Sequence, residues 1–115
     1  MARRKRIFTY EQALALLPQV ADVTLKAVQN LDDLLAGEDS AAEGELDVPQ
    51  ELVPEYQRIV SRWAEDVIGM GVEVKGLWLV DFDSGAGYYC WRHPETTLEY
   101  FHGYDEGFQS RIKLN

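Results

Sequence analysis

The chain has a single cysteine, few basic side chains and no long apolar run, and each shortage removes a class of protein. One thiol cannot form an internal disulfide, so a reducing cytoplasm is the expected setting. No hydrophobic stretch approaches the ~20 residues that cross a bilayer, and Met1-Ala2-Arg3-Arg4-Lys5-Arg6 leads into no signal-type apolar segment. Eleven Lys and Arg face twenty Asp and Glu, a formal net charge of −9. That balance speaks against a broad nucleic-acid or anionic-lipid face. Four of the eleven basic residues fall within residues 3–6, which makes residues 1–7 a basic arm on an acidic body. An arm of this kind can grip an acidic partner, but termini are usually solvated and a solubilising tail is expected. Glycine-rich phosphate motifs, Ser-His-Asp arrangements and RNA-binding aromatic signatures are missing. Gly85-Ala86-Gly87 is too short for a phosphate loop and precedes no helix. There is no internal repeat.

What is present is enough for one domain. At 115 residues with three Trp and six Tyr, the chain can bury a real core. Residues 9–36 read as a helix. Thr9 with Gln12 forms a capping box, in which hydroxyl and amide each satisfy a free backbone donor. Leu14, Leu17, Ala21, Thr24, Val28, Leu31 and Leu35 follow at alternating spacings of three and four. Pro18 lacks a donor and crowds the Leu14 carbonyl, which predicts a kink or a break there. Gly37 is the expected stop. Residues 37–47 hold five acids and one large apolar side chain, and predict a mobile acidic loop. A second helix is predicted over residues 49–69, with Leu52, Tyr56, Ile59, Trp63, Val67 and Met70 as its apolar stripe. Together they make an antiparallel helical hairpin.

After Gly71 the period changes to two. Val72-Glu73-Val74-Lys75 alternates, Leu77 to Phe82 reads as a mostly buried strand, and Tyr88–Arg92 and Thr97–His102 read as two more. The predicted class is α+β: a kinked helical hairpin packed on a small three-stranded antiparallel meander over residues 72–102, with an irregular tail over residues 103–115.

Residues 80–111 concentrate the chemistry. Metal binding needs N, S and O ligands that converge. No metal or other cofactor is expected, because no spacing matches a known zinc motif; any metal would fall to Cys90, His102, Asp105 and Glu106. On alternation Cys90 and His93 face opposite ways, while Cys90 and His102 share a face only in one register. Cys90 with His102 as base and Glu99 or Asp105 as orienter is the nucleophilic alternative, although a cysteine between Tyr89 and Trp91 is more often an inert filler. Arg92 and Arg111 have the planar fork that clamps a carboxylate or phosphate. Pairing with Asp81, Glu99 or Glu106 is the structural alternative. Asp105-Glu106-Gly107 lacks the ligand ladder of a calcium loop.

Several blocks occur together in a fixed order: Glu73-Val74-Lys75, Val80-Asp81-Phe82, Cys90-Trp91-Arg92, Tyr100-Phe101-His102, and Asp105-Glu106-Gly107-Phe108 with Arg111. An opening Phe8-Thr9 followed by Leu16-Leu17-Pro18 precedes them. In these blocks the chain resembles the prokaryotic family known as domain of unknown function 2203. The family pattern has glycines where this chain has Pro94 and Ser110. The resemblance implies the extent of the fold and no activity.

Two functional readings follow. The first is a non-catalytic cytoplasmic assembly protein that forms a homodimer through its helical seams. The second is a small metal-dependent enzyme or anionic-ligand-binding domain, with a polar pocket drawn from Asp81, Cys90, Arg92, His102, Glu106 and Arg111. Convergence of those side chains on one site separates the two.

Overall fold

The computed structural model of the chain describes residues 6–36 and 48–114. The acidic loop over 37–47 and most of the basic arm lie outside the described residues. Helix α1 spans Tyr10–Leu35 and opens on the capping box: Gln12 N–H donates to Thr9 Oγ1 at 3.0 Å and Thr9 N–H to Gln12 Oε1 at 3.0 Å. It is one helix, with Pro18 in its interior, and is not divided there. A short 3-10 turn, Gln50–Leu52, leads into α2, Val53–Gly69, with Pro54 in the first turn where no donor is needed. The buried face of α1 is Ala13, Leu17, Val20, Thr24, Ala27 and Leu31. It lies about one residue around from the seam read off the sequence, and Leu14 is exposed. Thr24, wholly buried, donates to the Val20 carbonyl at 2.7 Å and accepts from the Trp63 indole N–H at 2.8 Å. One hydroxyl thus joins the two helices.

The sheet has five strands rather than three, all antiparallel, in the order β1 Glu73–Gly76, β2 Leu79–Asp83, β3 Tyr88–Arg92, β4 Tyr100–His102, β5 Ile112–Lys113. Two differences from the sequence reading account for this. The apparent run from Val72 to Phe82 is broken at Leu77-Trp78, where Trp78 takes φ 60 and returns the chain on itself. A left-handed backbone is unfavourable for a bulky residue. Here the ring lands edge-on against Trp63 at 4.8 Å, a contact that offsets the strain. The other difference lies in the expected irregular tail, of which Phe108–Ser110 forms a 3-10 turn and Ile112–Lys113 pairs with β4.

Both helices lie against one face of the sheet. Val80, Phe82 and Trp91 point into the core beside Leu17, Val20, Trp63 and Val67. Phe8 caps its end, edge-on to Phe82 at 5.3 Å, while its N–H donates to the Asp83 carbonyl at 2.7 Å. Each such side chain contributes roughly 1.5–3 kcal/mol on burial. No described helix is long and apolar enough to cross a membrane.

Candidate metal centre

Side chains alternate along a strand, so a β2 that buries Val80 and Phe82 on the helix side turns Asp81 and Asp83 the other way. The same rule turns Tyr88, Cys90 and Arg92 of β3 and Tyr100 and His102 of β4 onto this second face. Register then brings them together: Asp81 lies opposite Cys90, Cys90 opposite Tyr100, and Tyr88 opposite His102. Among the described residues neither α1 nor α2 covers this side. The roof is the segment after β4, with Tyr104 donating to Asp83 Oδ1 at 2.6 Å and Arg111 and Phe108 lying further on. Beneath it Asp81 and Cys90 are each 1% exposed and His102 4%. Glycine at position 87 is needed for this closeness, because a β-carbon there would fall 2.8 Å from the His102 carbonyl oxygen.

His102 reaches across β3 and brings Nε2 to 3.0 Å from Asp81 Oδ2. Its Nδ1 lies 2.9 Å from the Gly103 carbonyl oxygen, which only accepts, so Nδ1 carries the proton. Nε2 is left facing the carboxylate. The Cys90 thiol adjoins the same carboxylate, and the nitrogen, sulfur and oxygen donors of Asp81, Cys90 and His102 all lie within 4.8 Å of one another. Burial pushes the Asp81 carboxyl up, against the opposing effects of Cys90, His102 and Lys75. Burial, together with the Asp81 charge, pushes the Cys90 thiol up to about 12. A thiol so placed is a poor free nucleophile, since the thiolate is the reactive form. Oδ1 of Asp81 is buried and meets no hydrogen-bond donor among the described residues. An unsatisfied buried carboxylate oxygen is costly, and native structures rarely leave one.

The remaining sequence candidates sit apart. Glu106 is exposed, and its Oε1 accepts the Gly103 N–H at 2.8 Å; Asp105 is exposed as well. Neither joins Cys90 and His102, and Asp81 supplies the oxygen donor instead. His93 packs against Trp91 on the other side of the sheet. Arg111 forms a two-pronged pair with Glu95, at 3.1 and 2.9 Å, lies 3.9 Å from Cys90 Sγ and stacks on Tyr100 and Phe108. Burial acts to lower its pKa, but the hydrogen bond and charge of Glu95 outweigh that and hold it above the ordinary value. Arg92 is exposed and pairs with none of the three acids expected of it. Sequence reasoning passed over Lys75, whose Nζ is 3.4 Å from Glu73 and 3.9 Å from Asp81. Its place opposite Asp81's strand could have been found from the alternation of residues 72–75. Hollows also lie elsewhere, one of about 370 Å³ between the helices and one of about 310 Å³ beside Tyr10, Tyr89 and Leu98.

The family described as uncharacterized conserved protein (DUF2203) matches residues 6–114, nearly the whole chain. The chain is a DUF2203 protein. Neither a curated protein nor a solved structure matches it. In this DUF2203 chain, Asp81, Cys90 and His102 meet on the sheet face opposite α1 and α2.

Proposed function

We propose that this face is a metal centre in which Cys90 Sγ, His102 Nε2 and an Asp81 carboxylate oxygen hold a borderline divalent cation of the zinc type. The observation that carries the reading is the buried Asp81 Oδ1, without a donor among the described residues, beside a thiol and an imidazole nitrogen. A cation supplies what that oxygen lacks. Mixed S, N and O donors suit zinc better than calcium or magnesium, which take oxygen. The Gly103 carbonyl holds Nδ1–H as the outer partner of a metal-bound histidine usually does, fixing the tautomer that leaves Nε2 free to ligate. The histidine–carboxylate spacing fits, while Cys90 Sγ, within 4.8 Å of the other two donors, would draw in to the roughly 3.5 Å that a Zn–S bond of about 2.3 Å sets. Bonds of about 2.0 Å in a tetrahedron put N and O roughly 3.3 Å apart, and the 3.0 Å separation here needs an adjustment of tenths of an ångström. Three protein ligands leave one tetrahedral position for water or a substrate atom, as in catalytic zinc sites. Cys90, inert as a free thiol, becomes a thiolate ligand when a metal displaces its proton.

Elemental analysis of protein purified without chelator tests this: about one equivalent of zinc or a related ion is expected. Cobalt substitution adds a thiolate-to-metal absorption band, which Cys90→Ala should abolish. A metal-free protein that also rejects added zinc and cobalt would sink the reading.

A second reading, self-association through the helices, is favoured by Leu14 and Leu25, which are 37% and 44% exposed along α1. Light scattering at high micromolar concentration decides it; a mass of 13 kDa would exclude the homodimer.

A further inference from the structure

In a chain where acids outnumber bases by twenty to eleven, a cation without a partner needs explaining. Among the described residues, every lysine and arginine but one meets a carboxylate or, for Arg6, the Met70 carbonyl. The exception is Arg92, whose guanidinium has no hydrogen-bond or ion-pair partner among those residues. Its nearest acid in sequence, Glu95, is already committed. Glu95 Oε1 accepts the Arg92 backbone N–H at 2.9 Å and Arg111 Nη1 at 3.1 Å, and Oε2 faces Arg111 Nη2 at 2.9 Å. The Arg92 fork is nevertheless held in place, over the Phe108 ring at 5.4 Å, and Arg111 lies over the same ring at 4.1 Å. Of two guanidiniums on one ring, one is neutralised and the other keeps its charge and its donors. Arg92 stands two residues from Cys90 on the same strand face, about 7 Å along the strand.

We infer that Arg92 anchors a small molecule bearing an oxyanion, a phosphate or a carboxylate, at the rim of the face that holds Asp81, Cys90 and His102. A planar guanidinium with free N–H groups recognises such an anion through two parallel hydrogen bonds. A large polyanion is disfavoured by the acidic remainder of the chain. The anchor stands on the surroundings of Arg92; its meaning as the substrate class of the metal centre rests on the metal reading.

The test is a set of thermal melts on the full chain, as purified and after chelator treatment, in inorganic phosphate, in acetate and in chloride at equal ionic strength. Phosphate or acetate is expected to raise the melting temperature above that in chloride, and the stronger of the two names the anion. Arg92→Gln should lose that rise while keeping its melting temperature in chloride and its metal content. Lys26→Gln, at an exposed and paired cation, should keep the rise. No rise in wild type, or an equal rise in Arg92→Gln, overturns the inference. Protein that carries no metal and rejects added zinc and cobalt, yet shows an Arg92-dependent rise, keeps the anion site and removes the metal reading. Bound metal without such a rise does the reverse.

Discussion

On the helix side of the sheet, Val80, Phe82 and Trp91 are at most 1% exposed; on the opposite side Asp81, Asp83 and Cys90 are equally hidden. Burial is matched and chemistry is not. The first face loses water in favour of dispersion contacts, which any apolar shape of the right volume supplies. The second face has to match each polar atom with a partner, and Asp81 Oδ1 lacks one among the described residues. The first arrangement specifies a fold, and the second gathers the polar groups on which the metal proposal rests.

The comparison is broken most severely from the apolar side. Phe82→Ala should cost about 3–5 kcal/mol, read as a lower urea midpoint at unchanged slope. On the polar side the decisive reagent is a chelator. If metal is held at a hundred times its dissociation constant, its removal should cost about 2.7 kcal/mol, and Cys90→Ala should be indifferent to chelator. Gly87→Ala tests the closeness of β3 to β4, because its added carbon would meet the His102 carbonyl. A loss of about 1–3 kcal/mol is expected, together with weaker metal uptake as His102 shifts. Thr24→Val removes the acceptor of the Trp63 indole and should cost about 1–3 kcal/mol without affecting metal content, which separates core polarity from site polarity. The smallest effect belongs to the surface: Lys26→Ala breaks the exposed pair with Asp22 and should stay within about 0.5 kcal/mol by the same melts.

The two faces also differed in how far the sequence revealed them. The capping box at Thr9 and the stripe through Trp63 and Val67 are local signals, and the structure keeps them. The buried face of α1 was misplaced by about a residue because Ala13 and Ala27 add little to an apolar pattern, while Leu14 adds much and stays exposed. The β1–β2 corner was hidden because a tryptophan occupies the left-handed position where glycine or asparagine would be the usual signal. β5 is two residues long and exists through its pairing with β4, which no local pattern shows. At the site, Asp81, Cys90 and His102 were all candidates, but their meeting depends on the register of three strands. Arg92 kept its place on the Cys90 face and lost its expected carboxylate, because Asp81 faces His102, Glu106 accepts the Gly103 N–H and Glu99 lies beside Lys113.

The tryptophan pair bears on measurement. Trp63 comes from α2 and Trp78 from the corner between β1 and β2, and their rings meet at 4.8 Å and 76°. Two indoles that close and that steeply inclined share their excitations and should give a strong near-ultraviolet circular dichroism signal. The helical layer provides one ring and the sheet the other, so the signal exists only while the layers are docked. Its loss ahead of the far-ultraviolet signal would mark a state with intact helices and strands that have come apart.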